Sequence, residues 1–149
     1  MKILVINGPN INMLGIREPE VYGKTTYQEL IRIIEQAAEE LGVEVTCFQS
    51  NSQGAIVDAV QAAYGVYNGI VINPAGYTTN GIAIMDAMKS VNIPAVEVHI
   101  TDISKREEFR RNSIIKLACF DAVVGEGISG YAKALAILKN HLENGSKES

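Results

Sequence analysis

Residues 2–7 read Lys2-Ile3-Leu4-Val5-Ile6-Asn7, a nearly continuous apolar run. Such a run is typical of a strand in a parallel sheet whose two faces are both covered by helices. Runs of the same kind recur along the chain, at Val43–Gln49, Gly69–Asn73, Ala95–Ile100 and Ala122–Gly125. The sequence therefore predicts five strands, each buried on both faces.

Amphipathic helical patterns lie between these strands. Thr26 and Glu29 have the spacing of a capping box. Apolar side chains follow at helical intervals as far as Leu41, and Gly42 is the expected stop. The other predicted helices are Gly54–Ala63, Gly81–Lys89 and Ser129–Glu143, while Ser104–Cys119 mixes helical turns with loop. We expect residues 144–149 to form a frayed polar tail.

Strands that alternate with helices specify a parallel sheet with right-handed crossovers. We therefore predict an α/β fold: one flavodoxin-like, doubly wound domain over residues 1–143, with a five-stranded parallel sheet in the order 2-1-3-4-5. Ligands of such sheets bind beyond the carboxyl ends of the strands. The polar residues that follow each strand are therefore the candidates for a functional site.

The composition indicates an ordinary globular chain. With 149 residues it can bury a core without a disulfide or a metal, and a net charge of −4 is unfavourable for binding nucleic acid or an anionic membrane. No apolar run approaches the ~18 residues of a membrane span, and we expect no signal peptide. Cys47 and Cys119 lie in apolar stretches without metal-ligand spacing, so we expect buried thiols, no metal site and a cytoplasmic location.

The connection between the first strand and the first helix is unusually long. It covers residues 8–25, whereas about two to six residues are usual in α/β units. A long connection at this edge is more often a lid or a site loop than idle coil. A tyrosine base such as Tyr22 needs cationic neighbours at neutral pH, which Arg17, Arg106 or Arg110 could supply. One tyrosine and one arginine in a loop more often lie on a solvated surface, so this pair alone decides nothing.

The fourth strand carries the sharpest pair of candidates, Glu97 and His99. Residues two apart in a strand point to the same side. A carboxylate can fix the tautomer of an imidazole and stabilise its protonated form, which suits a general acid. We prefer this interpretation to that of a structural histidine. We expect His141, late in the last helix, to be a surface residue.

Two further motifs are ambiguous. Arg106 and Arg110 share one face if their segment is helical, and a guanidinium binds a carboxylate in a bidentate manner, but a solvated charged turn fits equally well. Residues 125–130 match the pattern G-x-G-x-x-G. A dinucleotide site also needs a later strand and an acidic residue about 20 positions on. Here a predicted helix and a polar tail follow instead of a strand, so we interpret these glycines as a tight turn with close helix packing.

Assembled in order, these motifs resemble the type II 3-dehydroquinate dehydratases over nearly the whole chain. The matching segments are Gly8–Gly15, Arg17–Pro19, Tyr22–Gly23, Phe48–Asn51, Ile72–Thr78, Glu97–Ile100 and Arg106–Arg110. Several ordered motifs at appropriate spacing make the match specific. The resemblance implies cofactor-free dehydration of 3-dehydroquinate to 3-dehydroshikimate in the shikimate pathway, by a homododecamer built from trimers.

The resemblance also implies roles in the reaction for five residues: Tyr22, Arg17, Asn12, His99 and Glu97. Tyr22 would be the base that removes a proton alpha to the ketone, and Arg17 would favour its phenolate. Asn12 would help to hold a water that stabilises the enolate oxygen. His99, oriented by Glu97, would protonate the departing hydroxyl in an anti elimination.

A second set would bind the substrate. It comprises Asn73, Thr79, Ile100, Thr101, Arg106 and Arg110, together with Asp86 from a neighbouring subunit. Arg106 would also favour the Tyr22 phenolate. Arg110 would lie near the substrate hydroxyls, and the backbone of residues 100–101 near its carboxylate.

One departure from the family pattern concerns this second set. The family usually has a histidine where Thr79 stands, Thr-Ser where Asn80-Gly81 stand, and an arginine where Met85 stands. A threonine hydroxyl can hydrogen-bond but lacks the reach and charge of an imidazole. A non-catalytic or altered-specificity relative that binds quinate-like acids, or a nucleotide, therefore remains an alternative. A response-regulator-like interaction domain fits less well, because asparagines occupy the edge where it needs an acidic pocket.

Overall fold

The computed structural model describes residues 1–16, 18–110 and 112–148, and within them all side chains except those of residues 21, 22, 104 and 146–148. Five parallel strands form one sheet in the order β2-β1-β3-β4-β5. They are β1 (Lys2–Asn7), β2 (Glu44–Gln49), β3 (Gly69–Asn73), β4 (Ala95–His99) and β5 (Asp121–Val124). The predicted fold class and strand order are confirmed.

Five α-helices accompany the sheet in the described chain: α1 (Pro19–Tyr22), α2 (Tyr27–Leu41), α3 (Gln53–Ala62), α4 (Ile82–Val91) and α5 (Gly130–Glu148). The predicted start of α2 is confirmed, since the Thr26 side chain accepts a hydrogen bond from the Glu29 amide. Its end is confirmed too, because Gly42 adopts a left-handed conformation at φ 72°. No helix of the described residues is both long enough and apolar enough to cross a membrane.

Alternate residues of each strand pack into two apolar cores on opposite faces of the sheet. One core joins Val5 and Val71 to the helices α2 and α5. The other joins Ile6 and Ala95 to α3 and α4. This alternation is the reason why the strands are apolar almost throughout, as the sequence predicts.

The strand register aligns polar residues at one edge. Asn7 pairs with Gln49 on one side and with Asn73 on the other. Because Ile72 pairs with Glu97, His99 lies one residue farther along the edge than Asn73. Side chains alternate between the two faces of the sheet along each strand. By this alternation Asn7 and Asn73 belong to the face covered by α2 and α5, and Glu97 and His99 belong to the face covered by α3 and α4.

Several predicted boundaries differ from the structure. The observed strand limits differ from the predicted ones by at most one residue. Assigned ends of helices and strands commonly vary by one or two residues. The prediction that the last helix ends at Glu143 is wrong, because α5 continues to Glu148. The prediction of mixed turns before β5 is confirmed by three short 3-10 helices, at Ile103–Lys105, Glu108–Arg110 and Ile115–Ala118.

Candidate functional site

A cavity of about 290 Å³ opens at the carboxyl edge of the sheet. Its walls come from the connections that follow β1, β3 and β4, as expected for a doubly wound sheet. The lining residues are Asn10, Ile11, Asn73, Ala75, Gly76, Thr78, Thr79, Asn80, His99, Ile100, Thr101, Ile103, Arg106, Phe109 and Arg110. Neutral polar groups line one part of the wall and two guanidinium groups another, so the cavity suits a small polar anion.

His99 lies in the wall of this cavity, with Glu97 behind it. The two side chains are in direct contact through His99 Nε2 and Glu97 Oε2. Glu97 is 1% exposed and His99 5%, so solvent weakens their interaction little. Ser113 Oγ donates a further hydrogen bond of 2.7 Å to Glu97 Oε2. We refer to Ser113, Glu97 and His99 as the carboxylate network.

A second buried network lies on the opposite face of the same edge. The Asn73 side-chain amide donates to the Tyr131 hydroxyl at 2.9 Å, and that hydroxyl donates to Asn7 Oδ1 at 2.7 Å. Burial, the largest influence, raises the pKa of the Tyr131 phenol, so it remains neutral. We refer to Asn7, Tyr131 and Asn73 as the amide network. It fixes Asn73, the one member that lines the cavity.

The turn after β3 is held by the same asparagine. Asn73 Oδ1 accepts a hydrogen bond from the Ala75 amide at 3.1 Å. Ala75 has φ 49°, a left-handed conformation that costs an alanine about 1–2 kcal/mol. Thr78 Oγ1 donates to the Ala75 carbonyl at 2.6 Å and holds the turn from its other end. The strained residue Ala75 thus lines the cavity. Backbone strain in proteins clusters at functional sites.

Arg106 and Arg110 both line the cavity, but they do not share a helix. A bend at Arg106 separates the 3-10 helices before and after it, so the condition for a shared helical face is not met. Arg110 Nε lies 2.9 Å from Glu107 Oε2. A hydrogen bond to its own backbone amide lowers the pKa of Glu107, and the guanidinium groups of Arg110 and Arg106 lower it further.

The connection after β1 is organised by Gln49. Its amide nitrogen donates to the Gly8 carbonyl at 3.1 Å and to Asn12 Oδ1 at 3.3 Å. Asn51 Oδ1 accepts from the Asn10 amide at 3.0 Å and so holds Asn10 at the cavity. Asn10 is not among the predicted site residues, although it belongs to the Gly8–Gly15 motif.

The predicted site residues divide into three groups. Asn73, Thr79, His99, Ile100, Thr101, Arg106 and Arg110 line the cavity, and Glu97 supports His99 from behind. Asn12 is exposed and lies outside the cavity lining, as does Asp86, which is exposed on α4. Arg17 lies outside the described residues, and so does the Tyr22 side chain, although the Tyr22 backbone ends α1.

Two members of the polar networks carry no signal that sequence reasoning could use. Ser113 lies 16 residues from Glu97, and Tyr131 lies 124 residues from Asn7. Ser113 stands between Asn112 and Ile114, Tyr131 stands between Gly130 and Ala132, and neither matches a catalytic pattern. Only the folded chain brings them to the edge of the sheet.

The glycine pattern at residues 125–130 forms a turn, as predicted. Gly125 has φ 76°, and its amide donates to the His99 carbonyl at 3.1 Å. The Gly127 amide donates to the Ile100 carbonyl at 3.0 Å. These amides therefore hold the end of β4 in place. Across the described part of the chain, no three acidic, histidine or cysteine side chains cluster closely enough to hold a metal.

The two cysteines and the second histidine lie apart from the cavity lining. Cys47 and Cys119 are free and partly buried, and burial is the largest influence that raises the pKa of both thiols, to about 11 and about 12 respectively. His141 is exposed, as predicted, and stacks on the Phe120 ring with 3.9 Å between the ring centroids.

Comparison with known proteins places the chain among enzymes of one kind. It is 54% identical over 142 residues to the 3-dehydroquinate dehydratase of Clostridium acetobutylicum, over 95% of this chain and 99% of the relative. It is 51% identical over 145 residues to the 3-dehydroquinate dehydratase of Clostridium perfringens, over 97% of this chain and 99% of the relative. A crystal structure of the type II dehydroquinase from Butyrivibrio crossotus superposes with a TM-score of 0.91 at 48% identity, over 93% of this chain and 97% of the other.

A sequence model of the family described as Dehydroquinase class II matches residues 1–139. This match covers all five strands and α1 to α4, and it confirms the resemblance recognised from the motifs. The chain therefore belongs to the class II dehydroquinase family.

Proposed function

We propose that this chain is a hydro-lyase that converts 3-dehydroquinate to 3-dehydroshikimate in the shikimate pathway, in the cytoplasm. The observation that carries the proposal is the buried His99–Glu97 pair in the wall of a cavity that two arginines also line. The most similar relatives reported above are named 3-dehydroquinate dehydratases. The substrate 3-dehydroquinate is a hydroxylated ring with one carboxylate. Its hydroxyls and carboxylate match a cavity that is lined by neutral polar groups and by two guanidinium groups.

In the proposed reaction His99 is the general acid. The carbon–oxygen bond to the leaving hydroxyl breaks, and the hydroxyl takes a proton from the imidazolium and departs as water. Glu97 supports this step because its carboxylate contacts Nε2, which leaves Nδ1 as the ring nitrogen that Glu97 does not engage. A buried carboxylate also stabilises the imidazolium before the proton is transferred.

Tyr22 is the proposed base on the opposite face of the substrate ring, an assignment supported by the resemblance. Its phenolate removes the proton alpha to the ketone, and the resulting enolate then expels the hydroxyl. Arg17 and Arg106 favour the phenolate, since a nearby cation stabilises the charged form of an acid. Asn12 holds a water at the enolate oxygen, and the hydrogen bond that Gln49 donates to Asn12 Oδ1 orients the Asn12 side chain.

The remaining cavity residues hold the substrate in the proposed complex. Asn73 is supported in this role by the amide network, which fixes its side chain. We infer that Arg110 lies near the substrate hydroxyls in the complex; it lines the cavity, and its Nε lies 2.9 Å from Glu107 Oε2. We infer from the resemblance that the backbone of Ile100 and Thr101 lies near the substrate carboxylate.

We also infer that the active protein is a homododecamer built from trimers. Asp86 is exposed on α4, and the resemblance implies that it contributes to the cavity of a neighbouring subunit. Ile82 on the same helix and Phe109 at the cavity rim are exposed apolar side chains, which an interface would cover. Light scattering should give a mass of twelve chains, and Asp86→Ala should weaken substrate affinity without changing that mass. A monomeric and fully active protein would contradict the assembly.

The direct test of the function is an assay of the purified chain with 3-dehydroquinate. The product is a conjugated enone, so its ultraviolet absorbance should rise with time. Tyr22→Phe should nearly abolish the rise while substrate binding stays measurable by calorimetry. Tyr64→Phe, at an exposed position outside the cavity lining, is the matched control. A wild-type rate in Tyr22→Phe would remove Tyr22 from its role.

The alternative function is binding of quinate-like acids without turnover, or turnover of a different acid. Thr79 favours it, because it lines the cavity where the family usually has a histidine. The neighbouring Gly81 differs as well, and a Cβ there would lie 2.6 Å from the Tyr77 carbonyl oxygen, so the family's serine does not fit this backbone. Heat of binding without any enone product would favour the alternative over the dehydratase.

A further inference from the structure

Ser113 is a buried residue that the proposed reaction does not use. It precedes the 3-10 helix Ile115–Ala118 and is 7% exposed. Its Oγ donates the 2.7 Å hydrogen bond to Glu97 Oε2 and accepts a longer one of 3.3 Å from the Lys116 amide. The shorter bond connects it to the carboxylate that contacts His99.

The position of this bond on the carboxylate gives it a specific consequence. Glu97 Oε2 is also the atom that contacts His99, whereas Glu97 Oε1 has no hydrogen-bond partner in the described part of the chain. The terminal torsion of a glutamate is broad and roughly two-fold, so one contact restrains the carboxylate weakly. A second donor on Oε2 determines which oxygen faces the imidazole and at what angle.

We propose that Ser113 is a positioning residue, whose hydroxyl holds the Glu97 carboxylate in the orientation that aligns His99 for proton transfer. This inference rests on the function proposed above. Ser113 and Glu97 both lie outside the cavity lining. The hydroxyl therefore acts on the catalytic step through His99 and does not contribute to binding the substrate.

Loss of the hydroxyl should consequently lower kcat and leave KM nearly unchanged. We expect Ser113→Ala to lower kcat roughly 10- to 100-fold, because a misplaced group in an active site can cost about 100-fold, with KM within about twofold of the wild type. Ser113→Thr retains a hydroxyl and should recover most of kcat. Unaltered kcat in Ser113→Ala, or a raised KM with kcat unchanged, would overturn the assignment.

Ser113 could instead matter only because its Oγ accepts the hydrogen bond from the Lys116 amide and so caps the following 3-10 helix. A variant at another capping serine tests this alternative. Ser52 Oγ accepts a hydrogen bond of 3.2 Å from the Ala55 amide, in the same i to i+3 relation that Ser113 has with Lys116. Ser52 has no contact with the carboxylate network. Ser52→Ala should therefore lower the free energy of unfolding by about 1 kcal/mol and leave kcat unchanged.

The decisive experiment repeats Ser113→Ala in a Glu97→Gln background. If the serine acts through the carboxylate, its removal should change kcat by less than about twofold once that carboxylate is gone. Equal fold-losses in the two backgrounds would show that Ser113 acts independently of Glu97, and the proposal would be wrong. A wild-type chain that makes no product would instead refute the proposed dehydratase function.

A spectroscopic readout tests Ser113 without depending on turnover. The chain has two histidines, so nitrogen-15 labelling of histidine reports only on His99 and His141. In Ser113→Ala the ring-nitrogen signals of His99 should move away from their wild-type positions, because the hydrogen bond that Glu97 makes to the ring changes its geometry, while those of His141 stay unchanged. Unmoved His99 signals would contradict the proposal even in a variant that loses activity.

Discussion

The two buried networks at the edge of the sheet differ in charge: one consists of neutral groups, and the other contains a carboxylate. This difference distinguishes a role in stability from a role in catalysis. The amide network links Asn7, Tyr131 and Asn73 through neutral donors and acceptors. The carboxylate network places a carboxylate in contact with an imidazole. A neutral network connects buried polar groups and makes the fold rigid, whereas an imidazole beside a carboxylate can also exchange a proton. Similar burial therefore serves different purposes on the two faces.

The largest effect is expected in the carboxylate network. His99→Ala removes the proposed acid, so kcat should fall about 10²- to 10⁴-fold while substrate affinity changes little. Enone absorbance and calorimetry measure the two quantities. His141→Gln is the matched control, because His141 stacks on Phe120 outside the cavity lining. A kcat near the wild-type value in His99→Ala would contradict the catalytic role that distinguishes the carboxylate network from the amide network.

The next effect concerns the amide network. Tyr131→Phe keeps the buried ring and leaves Asn7 and Asn73 without their shared partner. The free energy of unfolding should fall by about 1–3 kcal/mol, with kcat within a few-fold of the wild type. Urea unfolding measures the loss. The exposed variant Tyr64→Phe should stay within about 0.5 kcal/mol, and a Tyr131→Phe protein that loses kcat but not stability would reverse our assignment.

A smaller effect is expected at Thr79, which lines the cavity but belongs to neither network. Thr79→His restores the family's imidazole and should lower KM roughly 2- to 10-fold, the value of one added hydrogen bond. The value of kcat should change less, since the acid and its support are untouched. Steady-state kinetics with 3-dehydroquinate measure both. If KM does not change, then the absent imidazole does not limit affinity.

The smallest expected effect is a change in the pKa of one cysteine thiol. Cys119 lies near the carboxylate network and Cys47 near the amide network, so the two thiols can be compared. Burial first, and then the nearby Glu97 charge, raises the pKa of the Cys119 thiol from 9.0 to about 12. Burial first, and then Glu35, raises the pKa of Cys47 to about 11. Glu97→Gln should therefore lower the pKa of Cys119 alone, which pH-dependent alkylation of the native protein would detect. Equal shifts at both thiols would indicate a general loosening of the fold.

The same raised pKa values predict alkaline destabilisation. Above pH 9 the thiols of the unfolded chain ionise while the folded ones remain protonated, so the unfolded state binds fewer protons and the free energy of unfolding falls as pH rises. This loss continues until the pH passes the folded value, about 12 for Cys119, at no more than about 1.4 kcal/mol per pH unit for each thiol. Urea unfolding of Cys119→Ala at pH 8 and pH 10.5 should show a smaller loss than the wild type.

Much of the fold could be predicted from single-sequence patterns. The strands Lys2–Asn7 and Gly69–Asn73 have the limits that the sequence indicates, because both are apolar runs bounded by polar residues and turns. Helix α2 begins and ends where Thr26 and Gly42 indicate. The short helix α1 was missed, since four residues show no periodicity. The end of α5 was missed too, because a polar sequence can continue a helix that is already anchored.

The candidate site could be predicted in part. Glu97 and His99 are two apart in a strand, so their alternation alone places both side chains on one face, and the structure joins them. Arg106 and Arg110 both line the cavity, although their segment is not one helix. Asn12 and Asp86 lie outside that lining, and the roles given to them depend on a bound water and a neighbouring subunit.

The sequence by itself determined the parallel sheet, its strand order and the strand ends that carry polar residues, because these follow from the spacing of apolar side chains along the chain. The tertiary structure alone decided which distant residues meet there. Ser113 with Glu97 and Tyr131 with Asn7 are such pairs. A hydrogen bond depends on distances of about 3 Å, and packing of the helices against the sheet sets those distances, whereas spacing along the chain does not.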